Sequence, residues 1–138
     1  MDILLKLIDV GLTYNANNTS INVLKNINLD IKFKETISVI GESGSGKTSL
    51  GRALLKAIPF QAGSIHYQFK DEKFDLNGLS GSSLKAFRQH AQMVFQDPYG
   101  SLNPRLTVRD IIAEPLEAMQ LTQNRDETDL RVREIATR

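Results

Sequence analysis

The chain has 138 residues, 41% hydrophobic and 24% charged, the proportions of an ordinary globular protein about one domain long. With 17 Lys plus Arg against 16 Asp plus Glu the formal net charge is +1, which speaks against the basic surface of a nucleic-acid binder. Cysteine is absent, excluding disulfides, thiolate metal sites and cysteine nucleophiles.

In chain order, Met1-Asp2-Ile3-Leu4-Leu5-Lys6 carries an acid where a secretion signal carries basic residues. No stretch approaches the roughly 20 apolar residues of a transmembrane helix. The sequence therefore predicts a soluble chain whose membrane association, if any, runs through a partner. Ile3 to Val10 reads as a strand, Asn15 to Ser20 as a polar turn, and Val23 to Phe33 as a second strand with Ile27, Leu29, Ile31 and Phe33 on one face. Thr36 to Ile40 is predicted as a short β-branched strand. A helix follows over Lys47 to Ala57, ended by Pro59. Gly63 opens another alternating run through Ile65, Tyr67 and Phe69. Ser82 or Ser83 is the expected cap of a helix through Arg88, and Gln92 to Phe95 reads as a short strand. Thr107 is the expected cap of a helix that Pro115 interrupts, and Asp126 to Arg138 is a charged helical end.

Between the strand at Thr36 and the helix at Lys47 lies Gly41-Glu42-Ser43-Gly44-Ser45-Gly46-Lys47-Thr48, which meets G-x-x-x-x-G-K-[ST] at every fixed position. Such a loop aims successive backbone N–H groups at phosphate oxygens, and Gly41, Gly44 and Gly46 supply torsions that a Cβ would resist. The helix N-terminus favours the anion, Lys47 reaches the β and γ phosphates, and the Thr48 hydroxyl is suited to Mg²⁺. The competing reading, a glycine-rich turn that merely precedes a helix, is weakened by the strand predicted on one side and the helix on the other.

The second informative segment is Gln92 to Pro104, an apolar run followed by Gln96 and a turn carrying Pro98 and Pro104. A glutamine at a strand end can bind a water or complete a Mg²⁺ shell without adding charge, or simply face solvent. Phe95-Gln96-Asp97-Pro98 with Ser101-Leu102-Asn103-Pro104, continued by Ile112-Ala113-Glu114-Pro115-Leu116, resembles the Q-loop region of ABC transporter ATPases of the oligopeptide and dipeptide importer family. The likeness runs from Leu5 to about Leu116.

This resemblance implies an α/β P-loop NTPase fold: an ABC-type nucleotide-binding domain with a RecA-like core and an N-terminal antiparallel β subdomain. Residues 1–35 would form the β region, 36–95 part of the core, and 96–138 the Q-loop and the start of a helical subdomain. It implies ATP and Mg²⁺ held by Gly41, Glu42, Ser43, Gly44, Ser45, Gly46, Lys47, Thr48 and Ser49, with Gln96 beside the γ phosphate and the metal. Tyr14 stands where the family places an adenine-stacking ring, although edge packing explains such a tyrosine equally well. The implied partners are transmembrane permease subunits, a second ATP-binding subunit arranged head to tail and, indirectly, a solute-binding protein, with no nucleic acid. The implied location is the cytoplasmic face of the membrane.

Three differences from the family stand out, of which the Lys47-Thr48-Ser49 order, in place of the more usual Lys-Ser-Thr, is minor because either hydroxyl can ligate magnesium. Lys34 lies where relatives carry a glycine, which speaks against the positive-φ turn expected there. The Walker B acids, the signature sequence and the switch histidine, all C-terminal to the Q-loop in the family, are not found, so the chain reads as truncated before them. Leu79-Ser80-Gly81 precedes Gln96 and reads as a turn into a helix, and His66 and His90 read as packing or surface residues. The alternative readings are a non-catalytic remnant that binds nucleotide weakly or not at all, and another P-loop class. A GTPase would use Asp75-Leu76-Asn77-Gly78 as its switch but lacks a guanine-recognition motif. A kinase would need a richer arginine lid than Arg105 and Arg109.

Overall fold

The structure, a computed structural model, describes residues 3–16 and 19–137. The chain divides after Ala91 into two compact units.

The first unit is built on strands β1 (Ile3–Ala16), β2 (Thr19–Lys32), β3 (Ala62–Phe69) and β4 (Glu72–Asp75), with helices α1 (Lys47–Leu54) and α2 (Gly81–His90). The sheet order is β2-β1-β3-β4 and every pairing is antiparallel. Alternation along β1 puts Leu5 and Leu7 inward, then changes phase so that Val10 and Leu12 are the buried residues. The cause is a register shift between Leu7 and Val10, where Asp9 takes φ 48°. An added residue in a strand moves every later side chain to the other face. Asn28 fixes the irregularity: its Oδ1 accepts from the Asp9 N–H at 3.0 Å and its amide donates to Asp9 Oδ1 at 2.8 Å.

Leu50 and Ala53 of α1 and Phe87 of α2 join the inward residues of β1, Leu24, Ile65, Tyr67 and Leu76 in one core. Phe87 meets Tyr67 edge-on at 5.5 Å and Phe74 at 5.7 Å between ring centroids. The α2 cap is Ser80 rather than Ser82 or Ser83. Ser80 is extended, and Ser83 Oγ accepts from the Ser80 N–H at 3.4 Å and donates to its carbonyl at 2.7 Å. Strand β4, which the sequence reading passed over, pairs with β3 from His66↔Asp75 to Phe69↔Glu72. His66 lies in β3 and touches Ser64. His90, in the last turn of α2, pairs with Glu72 at 2.7 Å.

Four strand and hairpin expectations change. Residues 36–40 form no ladder with any strand among the described residues, and Ile40 is 93% exposed. Residues 92–95 are likewise irregular, with Val94 96% exposed. A β-branched run becomes a strand only where a neighbour takes up its N–H and C=O groups. Phe33 falls beyond the end of β2 and packs against Phe69, the ring centroids 5.6 Å apart and the planes tilted, instead of continuing the β2 face. The connection between Ala16 and Thr19 is two residues, Asn17 and Asn18, which lie outside the described residues; the remainder of the expected Asn15 to Ser20 turn is ladder.

Lys34, by contrast, adopts φ 64°, so the positive-φ turn is present without its glycine. An L-residue costs roughly 1–2 kcal/mol in that region. Lys34→Gly is therefore expected to stabilise the chain by about 1 kcal/mol, read as a higher thermal midpoint. A fall would mean that the Lys34 ammonium over the Phe33 ring, at 5.6 Å, outweighs the backbone relief.

The second unit holds α3 (Pro98–Ser101), α4 (Val108–Ala118) and α5 (Arg125–Ala136). Thr107 caps α4 as expected, its hydroxyl accepting from the Asp110 N–H at 3.2 Å. The Thr107 hydroxyl also donates to Asp110 Oδ2 at 2.7 Å, and this bond, with that from Arg109, holds the Asp110 carboxyl below its ordinary value. Pro115 lies inside α4 and does not interrupt it. The proline removes one helical hydrogen bond, but Ala113 beside it packs inward, and α4 is bound to α5 through Arg109 Nε, 2.9 Å from Asp129 Oδ1. Asn124 caps α5 by accepting from the Glu127 N–H, and the Glu127 carboxylate accepts from the Gln123 N–H in return. Among the described residues no helix is long and apolar enough to cross a membrane.

Candidate functional site

The Gly41–Thr48 loop enters α1 through two left-handed glycines, Gly44 at φ 81° and Gly46 at φ 92°. A turn closes first, with the Ser45 N–H donating to the Glu42 carbonyl at 3.2 Å. Gly46 is the N-cap of α1, and its carbonyl accepts the first helical bond, from the Leu50 N–H at 2.8 Å. Each fixed glycine answers to a local demand. A Cβ at Gly41 would stand 2.7 Å from Ser45 Oγ, whereas one at Gly46 would stand 3.0 Å from the Val23 carbonyl oxygen and 3.3 Å from Leu24 Cδ2. The beginning of α1 is thus seated directly on β2, an approach that only glycine permits.

Lys47 folds back over the loop. Its Nζ donates to the carbonyls of Gly41 at 2.8 Å and Glu42 at 2.6 Å, and to Ser45 Oγ at 3.3 Å. One ammonium therefore lies at the centre of the turn with several acceptors fixing it. Helix α1 has no acidic residue in its first turn and no side-chain bond to its N-cap, while Arg52 lies in its last turn. The first turn of α1 thus supplies no acidic side chain of its own to the positive end of the helix dipole, which suits an external polyanion. Glu42, Ser43 and Gly44 are exposed, and Thr48 and Ser49 follow Lys47 in the first turn with Thr48 exposed. This geometry fits a phosphate group held by Lys47 and the helix N-terminus, with Thr48 available to a metal ion.

Tyr14 lies near the far end of β1, opposite Ile21, and is 44% exposed, so its ring is accessible. Gln96 belongs to the second unit and is exposed. Beside it Asp97 organises the following turn, accepting from the Gly100 N–H at 3.0 Å and, through its carbonyl, from the Ser101 hydroxyl. Within the first unit the structure unites Gly41 to Ser49 in one loop and helix turn. Sequence reasoning missed the seat that β2 provides at Val23 and Leu24; the only signal was the apolar pair itself, which reads equally as ordinary core.

Comparison with known proteins agrees with this geometry. The ABC transporter family model matches residues 24–138. The chain is 43% identical over 130 residues to the dipeptide transport ATP-binding protein DppF of Lactococcus lactis subsp. cremoris, covering 92% of this chain and 40% of that protein. It is 40% identical over 128 residues to the oligopeptide transport ATP-binding protein OppF of Streptococcus mutans, again covering 92% and 40%. The chain thus spans about 40% of the length of these curated relatives. Its fold is similar to that of the ATP-binding cassette MJ0796, solved as a dimer in a post-hydrolysis state bound to ADP and Pi: the TM-score is 0.72 at 28% identity, covering 95% of this chain and 55% of that one. The loop geometry, the antiparallel sheet that seats it and the family match lead to one assignment: the chain belongs to the ABC transporter family, within its ATP-binding domain.

Proposed function

We propose that this chain carries the MgATP-binding half-site of an importer ATPase for peptides or similar small solutes. The observation that carries the reading is the Lys47 ammonium held on the Gly41 and Glu42 carbonyls above an uncompensated helix N-terminus. Polyphosphate would draw that ammonium from neutral carbonyls onto anionic oxygens, a stronger, charge-assisted interaction. The backbone of Gly41 to Ser49 would cradle the phosphates, the Thr48 hydroxyl would bind Mg²⁺, and Tyr14 would stack on adenine, while Gln96 would keep the role that the Q-loop resemblance implies. When bound, MgATP supplies the phosphoanhydride whose hydrolysis drives transport.

The peptide-importer reading rests on the likeness to DppF and OppF together with the Gln96 to Pro104 text. In this reading residues 1–35, 36–95 and 96–138 are the β region, the core portion and the Q-loop with the start of the helical subdomain. The complete protein would work on the cytoplasmic face of the membrane beside permease subunits, pair head to tail with a second ATP-binding subunit, and receive solute through a binding protein. Hydrolysis would require acids that the family places C-terminal to Gln96.

Titration calorimetry with MgATP tests the site. The wild-type chain should show saturable binding, and Gly46→Ala should weaken it more than tenfold. A left-handed alanine costs roughly 1–2 kcal/mol, and the close approach to Val23 adds to it, against 1.4 kcal/mol per decade of affinity. Undiminished binding by Gly46→Ala would overturn the loop's role.

A further inference from the structure

We infer that Gln61 is a positioning residue for the nucleotide site, acting through Thr13 to hold the Tyr14 platform at a fixed separation from the phosphate loop. This rests on the reading of Gly41–Thr48 and Tyr14 as an ATP site and adds to it a residue outside the phosphate loop.

Strand β1 is held on both sides for only part of its length. Its ladder with β3 ends at Gly11↔Ala62, whereas its pairing with β2 continues to Ala16. The segment that carries Tyr14 therefore projects past its β3 neighbour. Gln61, immediately before β3, extends that ladder by one rung. Its N–H donates to the Gly11 carbonyl at 3.0 Å, and its side-chain Oε1 accepts from the Thr13 N–H at 2.8 Å. A carboxamide oxygen stands here where the next strand residue would have offered a backbone carbonyl.

On the opposite side the same residue meets a bulge. Leu12 pairs with Leu24 and Thr13 with Asn22, so Val23 is the extra residue on β2. Thr13 Oγ1 donates to Asn22 Oδ1 at 2.6 Å and closes the bulge from the β1 side. Bulges re-aim the groups they carry, and the Val23 carbonyl is the group that lies against Gly46 at the start of α1. Thr13 is thus fixed by Gln61 on one flank and by the loop-bearing bulge on the other, and Tyr14 is the next residue. Tyr14 faces Ile21, two residues from Val23, or about 7 Å along the strand. The two ends of a nucleotide, base and phosphates, would meet features separated by a single strand segment, and the Gln61 rung keeps that segment from swinging.

The test separates base from phosphates. MgATP and magnesium tripolyphosphate share their phosphates, but only ATP reaches Tyr14. In the 138-residue chain, Gln61→Met keeps the length and removes the acceptor. It should weaken MgATP about fivefold, the loss of roughly one hydrogen bond, and leave tripolyphosphate unchanged. Gln61→Glu keeps an acceptor for the Thr13 N–H, and its ATP-to-tripolyphosphate affinity ratio should match the wild type. Thermal melts accompany both variants, since a merely structural role would lower both affinities together. An unchanged ratio in Gln61→Met, a parallel loss of both ligands, or a ratio in Gln61→Glu as low as in Gln61→Met would each overturn the proposal. Tripolyphosphate binding with no preference for ATP in the wild type would overturn it as well, whereas wild-type binding of neither ligand would overturn the underlying ATP reading.

Discussion

Lys47→Ala is expected to reduce MgATP affinity on the order of a hundredfold or more while leaving the fold intact. A lysine that meets two phosphates makes charge-assisted bonds worth roughly 1.5–3 kcal/mol each, and 1.4 kcal/mol is a factor of ten. In the structure the Lys47 ammonium donates to the Gly41 and Glu42 carbonyls and Ser45 Oγ, all neutral acceptors. Gly41 and Glu42 are exposed, so water replaces the ammonium when the side chain is cut, and the melting midpoint should hardly move. Gln96→Ala is the matched control. Gln96 carries no charge, so its loss should lower turnover of the proposed complete ATPase while binding is largely retained. Equilibrium binding of labelled ATP to both variants decides the matter, and equal loss in the two would sink the separate roles.

Phe87→Ala should destabilise the first unit by about 3–5 kcal/mol, the range for removing a buried aromatic ring. Phe87 is fully buried and is the buried anchor of α2. Its ring meets both Tyr67 of β3 and Phe74 of β4, so truncation opens a cavity against both strands and removes two aromatic contacts. Against a total stability of typically 5–15 kcal/mol, such a loss is a large fraction. Urea unfolding should show a lower midpoint, with α2 released and the His90 pair to Glu72 broken with it. A change under about 1 kcal/mol would mean that the hairpin and α2 are held by something other than this ring.

The phosphate loop was legible because its requirements are local. Gly44 and Gly46 need positive φ, Lys47 must follow them, and a helix must begin at once; all three conditions are written within eight residues. The caps at Thr107 and Asn124 belong to the same class, although only the first was anticipated. The phase change in β1 was not legible. Leu5 and Leu7 predict one inward face, and nothing in Asp9 announces that it turns left-handed and shifts Val10 and Leu12 onto that face. Lys34 was misleading for the reason that makes propensity a weak guide: a backbone over-determined by its surroundings imposes φ 64° on a residue that disfavours it.

What the sequence determined by itself is the residue pattern of the candidate site: the glycines, the lysine and the hydroxyl at Gly41 to Thr48, and the peptide-importer likeness around Gln96. Those features depend on residue identity over short spacings, where each side chain's constraints come from its immediate neighbours. Only the tertiary structure decided that Val23 and Leu24 seat the loop, that Gln61 completes the β1 ladder beside Tyr14, and that Thr36 to Ile40 finds no strand partner among the described residues. Each of these is a relation between segments distant in sequence. A hydrogen-bonded rung, a bulge or a seat exists only when a second chain segment arrives to meet the first, and residue types alone do not say which segment that will be.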